Sequence, residues 1–129
     1  MTSKRTTASV EVMNDQQINE LIIDSIQDIK GKNIMQLDLR GLSGAPADYF
    51  IVCEGDSSVQ LRAIAGNVFK RMKHEANTLP LSFEGRDTSK WVLVDYFKTV
   101  VHVFHPELRE FYDLEGLWND AKVTSFEDY

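Results

Sequence analysis

Trp91-Val-Leu-Val-Asp95-Tyr96, followed after a short gap by Val100-Val-His102-Val-Phe104, is the stretch that decides the fold. Two short apolar runs so close together predict an antiparallel hairpin. Strand alternation puts Trp91, Leu93 and Asp95 on one face and Val92, Val94 and Tyr96 on the other. In the second strand Val100, His102 and Phe104 share a face, against Val101 and Val103. A register that sets His102 beside Trp91 and Asp95 would gather Trp, His and Asp on one sheet face. Plain core strands rarely need Asp95 and His102, so function is expected here. Either the sheet is covered and a His–Asp pair is satisfied internally, or the face binds protein through aromatic anchors surrounded by polar groups.

Downstream, Pro106 stops the second strand, and residues 107–120 read as one helix or a pair of short helices. Leu108, Phe111, Leu114 and Leu117 are spaced to cover the core, while Arg109, Glu110 and Asp113 are spaced to project outward. Such a segment is either an ordinary amphipathic closing helix or an exposed, acidic docking surface. Residues 122–129 form an acidic tail that carries Glu127 and Asp128.

Upstream, Tyr49-Phe-Ile-Val-Cys53 is a continuous apolar run, as expected of a central strand covered on both faces. Gly55-Asp-Ser-Ser58 breaks it. Ser57 with Gln60 then opens a helix through a capping box, and Leu61, Ile64, Ala65, Val68 and Met72 carry it to about Glu75. A first helix starts at Asn14, with Gln17 completing another capping box, and Gly31 suits its stop. Met35, Leu37 and Leu39 alternate with Gln36 and Asp38, as in a half-buried strand, and residues 40–48 read as a loop. A short strand is expected at 81–84, before the turn at 85–89. Residues 1–12, rich in Ser and Thr, read as a disordered lead-in, leaving 13–121 as the folded domain. The order predicts a single-domain α/β protein with a mixed, roughly five-stranded sheet flanked by helices. The strand–helix–strand unit in its middle implies one parallel crossover.

A length of 129 residues fits one domain with one core. Apolar residues make up 43% and charged residues 26%, as in soluble globular proteins, and no apolar run approaches a bilayer span. The single cysteine, Cys53, excludes an internal disulfide, and its apolar run predicts a buried, inert thiol. A net charge of −6 argues against broad nucleic-acid binding, which needs a basic patch, and is compatible with a basic protein partner.

Several chemistries can be weighed against plainer readings. Gly55-Asp-Ser-Ser58 between a strand and a helix could hold an anion, but it lacks the lysine and glycine spacing of known phosphate loops, and capping explains Ser57 and Gln60. A nucleotidyltransferase needs neighbouring carboxylates for Mg²⁺; here Asp38, Glu84 and Asp95 are single, and Arg40 stands where a second ligand would help. His102 and His105 would point to opposite faces of a strand, with His74 far away, so no metal site is expected. Ser57, His102 and Asp95 supply the residue types of a triad, without a nucleophile elbow.

The ordered motifs resemble the ribosomal silencing factor family RsfS, also called Iojap, from the first helix to about Ala121. They are Asp38-x-Arg40 followed by Ala47-Asp-Tyr-Phe-Ile51; Gly55-x-Ser57-x-x-Gln60; Glu84-Gly85; Trp91-Val-Leu-x-Asp-Tyr96; Val101-His102-Val-Phe104; and Arg109-x-Phe-Tyr112-x-Leu-Glu115-x-Leu-Trp118. The resemblance implies a nucleotidyltransferase-like α/β fold without the catalytic carboxylates, and a non-enzymatic protein with no cofactor. It implies binding to the large ribosomal subunit through a basic protein of its intersubunit face, the fourteenth in the standard series. The bound factor would block small-subunit joining and repress translation. Relatives also act in large-subunit maturation, and free members can be homodimers.

On that basis the expected contact set is Trp91, Asp95, Tyr96, His102, Arg109, Glu110 and Tyr112. The expected location is the bacterial cytoplasm, with no membrane and little direct nucleic-acid binding. The rivals are a large-subunit assembly factor and an enzyme, a residual nucleotidyltransferase or nucleotide binder using Ser57, Asp38 and Asp95. One departure stands out: the family usually has Gly-Asp after the Asp-Tyr, and this chain has Phe97-Lys98. The tight, acidic turn becomes bulky and basic.

Overall fold

The structure is a computed structural model that describes residues 12–87 and 90–128. Most of the lead-in expected at 1–12 lies outside the described residues, as do two positions of the 85–89 turn. In chain order the elements are α1 (Asp15–Asp28), β1 (Lys32–Asp38), β2 (Tyr49–Glu54), α2 (Ser58–Glu75), β3 (Ser82–Glu84), β4 (Trp91–Asp95), β5 (Thr99–Phe104), α3 (Pro106–Tyr112), α4 (Leu114–Leu117) and β6 (Lys122–Ser125). They form a single mixed sheet in the order β3-β4-β5-β2-β1-β6. It has six strands rather than roughly five. The added one, β6, comes from the segment read as an acidic tail and pairs antiparallel with β1, Leu37 opposite Val123.

The helices begin where side chains satisfy free backbone N–H groups. Asn14 accepts from the Gln17 N–H while Gln17 accepts from the Asn14 N–H, the expected reciprocal cap. At the far end of α1 it is Lys30, not Gly31, that takes the left-handed conformation, with φ 64. The Gly31 N–H bonds the Ile26 carbonyl. Gly31 is needed because a Cβ there would strike the Ile26 side chain. At α2, Ser57 accepts from the Gln60 N–H, but Gln60 reaches one residue further back, to the Asp56 N–H at 2.7 Å. The Gln60 amide also donates to the carbonyls of Ile29 and Lys30. The second cap therefore ties the start of α2 to the end of α1. Arg71 adds an ionic clasp between the same helices, at 2.6 Å from Asp24 and 2.9 Å from Asp28.

The continuous apolar run of β2 sits centrally, as its pattern predicts. It pairs in parallel with β5, Val52 beside His102, and antiparallel with β1. Both sheet faces are covered. On one, Ile51, Cys53, Val92, Val94, Val101 and Val103 pack against the buried stripe of α1 and α2. On the other, Leu37, Phe50, Val52, Val100 and Phe104 pack with Leu114 and the partly buried Trp91, Leu108 and Trp118. Each large side chain so buried stabilises the fold by about 1.5–3 kcal/mol. Cys53 is fully buried, and burial pushes its thiol pKa up to about 12, which keeps it an unreactive apolar group.

Candidate functional site

The hairpin forms in the register Trp91 opposite Phe104, Leu93 opposite His102 and Asp95 opposite Val100. The faces follow the alternation read from the sequence, but Leu93, not Asp95, stands directly across from His102. The Trp91 indole N–H donates to His102 Nδ1 at 3.1 Å. Asp95 turns the other way and accepts from the Phe97 N–H at 2.7 Å, capping the turn. No His–Asp pair is built.

An indole N–H only donates, so Nδ1 of His102 must accept, and the proton of the neutral ring sits on Nε2. His102 is 4% exposed. Burial pushes its pKa down to about 4, which keeps the ring neutral at physiological pH. Its Nε2 has no hydrogen-bond partner among the described residues, an arrangement that costs about 1–3 kcal/mol. Phe50 crosses the ring edge-on at 4.5 Å between centroids.

Around this pair an aromatic stack runs to the surface. Trp91 lies 4.8 Å from Phe104 and 4.7 Å from Tyr112, and Tyr112 meets Phe111 edge-on at 5.1 Å. Exposure climbs along the stack, from buried Phe104 to 45% for Tyr112 and 77% for Phe111. Glu107, Glu110 and Asp113 are exposed on the same short helix and its cap. On the neighbouring α4, Leu117 is 68% exposed. Phe111 and Leu117, expected to cover the core, are therefore outside it. For Phe111 the cause lies within α3, which turns Arg109 into the protein and so leaves Phe111, two positions on, facing out. For Leu117 it is Asp113, which takes φ 44, caps the end of α3 and accepts from the Gly116 N–H to start α4. The break re-aims everything after it. Asp113 with Gly116 three residues on was the available signal.

Arg109, expected to point outward, points inward. It is 6% exposed. Its guanidinium lies 3.0 Å from Glu54 and 2.9 Å from Glu115, and also donates to the Asn33 carbonyl. One side chain thus pins α3 to the ends of β1 and β2 and to α4. Tyr96 sits on the opposite sheet face from Trp91, packed against the α1–α2 core with its hydroxyl buried. Of the seven residues expected to form a contact set, Trp91 and Tyr112 meet at one surface, and Glu110 is exposed on the helix that carries Tyr112. His102 and Arg109 lie beneath it, Asp95 caps the turn, and Tyr96 faces away.

The residues of the rival chemistries are otherwise engaged. Asp38 is held by Arg40 at 2.7 Å, and that hydrogen bond lowers its pKa. Both line a polar cleft of about 610 Å³ beside the start of α1, with Tyr49 and Lys122. Ser57 caps α2, and His105 is not on a strand but caps α3, accepting from the Glu107 N–H. Among the described residues no group of three or more His, Cys, Asp and Glu could hold a metal ion, and no helix is long and apolar enough to cross a membrane.

The Phe97–Lys98 turn is tight. Phe97 has φ 75, and the Lys98 N–H bonds the Tyr96 carbonyl at 3.0 Å across it. The two-residue span and positive φ define a γ-turn, uncommon for a residue other than glycine. Lys98 finds a matching acid within its own chain, 3.7 Å away at Asp15.

A family model described as "Ribosomal silencing factor during starvation", RsfS, matches residues 12–129. A ribosomal silencing factor RsfS from Halalkalibacterium halodurans is 36% identical over 115 residues, which cover 89% of this chain and 97% of that protein. A crystal structure from Chromobacterium violaceum, 41% identical, superposes with a TM-score of 0.78 and covers 83% of this chain and 88% of that one. A Mus musculus protein named for mitochondrial assembly of the ribosomal large subunit is 37% identical over 83 residues, 63% of this chain and 35% of that protein.

Proposed function

The chain belongs to the RsfS family of ribosomal silencing factors, and on that footing we propose that it binds the large ribosomal subunit, blocks small-subunit joining and so represses translation. The observation that carries this reading is the aromatic stack from Trp91 through Tyr112 to Phe111, which opens to solvent on a short helix that also exposes acids. Exposed rings on a helix that also exposes Glu107 and Glu110 suit lysine and arginine side chains, which aromatic faces and carboxylates both attract. The partner of the proposal is the basic intersubunit-face protein, the fourteenth of the large-subunit series. The protein acts by occlusion, as a binder with no chemical step, in the bacterial cytoplasm. Pairing with a second copy when free belongs to the same proposal.

Co-sedimentation with purified large subunits tests it. Trp91→Ala should weaken binding by about 2–4 kcal/mol if Trp91 is an anchor. A folded Trp91→Ala protein that binds as the wild type does would sink the reading. A second role, in large-subunit maturation, is favoured by the name of the mouse relative. Sedimentation with precursor subunits alongside mature ones separates the two; binding to precursors alone would replace silencing with assembly.

A further inference from the structure

Position 102 lies between Val52 of β2 and Leu93 of β4, with Val100 and Phe104 as its neighbours on the same face. An apolar side chain would be at home there. The chain instead places an imidazole whose Nε2 is buried without a partner among the described residues and whose Nδ1 accepts the Trp91 indole N–H at 3.1 Å. That bond is what histidine supplies here and phenylalanine or leucine could not. We propose that His102 is the positioning residue of the docking face: it does not touch the partner, but fixes the rotation of the Trp91 indole and occupies its only donor. The inference rests on the reading of Trp91 as the anchor.

Two consequences follow from the geometry. With its N–H turned down onto His102, Trp91 has its ring in contact with Tyr112, 4.7 Å away, and no indole donor left for a partner. The face therefore selects a cationic or aliphatic side chain over a hydrogen-bond acceptor at that point. Release of the bond would leave the indole held by its ring contacts with Phe104 and Tyr112 alone, and an anchor with more freedom to turn binds more weakly because its ordering must then accompany binding.

The test is co-sedimentation with purified large subunits, read together with amide and indole NMR of the full chain. His102→Phe should weaken binding about tenfold or more while the protein stays folded, and its Trp91 indole proton should exchange quickly. His102→Asn, whose side-chain oxygen falls near the place of Nδ1, should restore binding to within about threefold of the wild type. In a Trp91→Phe background, which keeps a ring and lacks the N–H, adding His102→Phe should cost nothing more.

Undiminished binding by His102→Phe overturns the inference, and so does full additivity in the double variant, which would make His102 a direct contact. If His102→Phe does not fold, the wild-type spectrum decides. An Nε2-protonated His102 with a protected Trp91 indole proton supports positioning, and an Nδ1-protonated ring contradicts it. Failure of the docking reading looks different: there Trp91→Ala itself binds normally. If Trp91→Ala loses binding and His102→Phe does not, only the positioning role falls.

Discussion

Arg109 and Glu115 lie 2.9 Å apart, six residues apart in the chain and on two helices separated by the left-handed Asp113. The same guanidinium reaches Glu54 across the sheet end. A buried cation between two carboxylates is weak evidence of net stabilisation, but removing it strands two acids. Arg109→Ala should therefore cost about 3–5 kcal/mol in urea unfolding. It should also loosen α3 and α4, which hold Tyr112, Phe111 and Leu117. A loss below about 1 kcal/mol would mean that the acids find solvent and that Arg109 does not set the placement of α3 and α4.

Phe97 carries φ 75 and is 70% exposed, so its ring contributes little burial while its backbone takes a conformation that favours glycine. Phe97→Gly should raise stability by about 1 kcal/mol, with a melting temperature higher by roughly 2–6 °C. A clear drop would show that the Phe97 ring packs on its surroundings strongly enough to offset the strain.

His102 makes stability depend on pH in a stated window. Its folded pKa, about 4, lies below the unfolded value near 6.5. Its contribution is therefore fully present above the unfolded value. It is lost as pH falls from about 6.5 to about 4, because the unfolded chain takes up a proton that the folded one refuses. The loss over that window is about 3 kcal/mol. His102→Phe should remove this part of the slope in urea unfolding between pH 7.5 and 4.5. Asp38 and Glu75, held low by hydrogen bonds from Arg40 and Arg71, act from the lower end of that range downward and are common to both proteins. Parallel pH profiles for the two would contradict the assignment.

Gly85 has φ 87, and a Cβ there would press on the Trp91 carbonyl. Gly85→Ala should destabilise the protein by about 1–3 kcal/mol and disturb the start of β4, where Trp91 sits. Unchanged thermal stability would show that the β3–β4 turn relaxes freely.

Much of this architecture is legible in the sequence. Alternation sets Trp91 on one face of its strand against Val92, and His102 on one face of its own against Val101, and the Asn14 cap starts α1 where Gln17 predicts. Strand β6 is not legible, because Lys122-Val-Thr-Ser125 is exposed throughout and carries one apolar residue; backbone pairing with β1 specifies it. The inward turn of Arg109 depends on Glu54 and Asn33, far away in sequence, which helical spacing cannot register. Leu117 falls on the stripe begun by Leu108 only if one helix runs through Asp113, and it does not; Phe111 is turned out because α3 buries Arg109 instead. The aromatic character of the site could be read from the residue pattern. The exchange of partners, with Trp91 bonding His102 and Asp95 capping a turn, needed the register.

The most direct test of the central claim is subunit joining itself. Purified large subunits are saturated with the protein, small subunits are added, and assembled ribosomes are followed on sucrose gradients. Joining should be suppressed by the wild type and restored when Trp91→Ala takes its place at equal concentration. Undisturbed joining at saturating wild-type protein would contradict the claim.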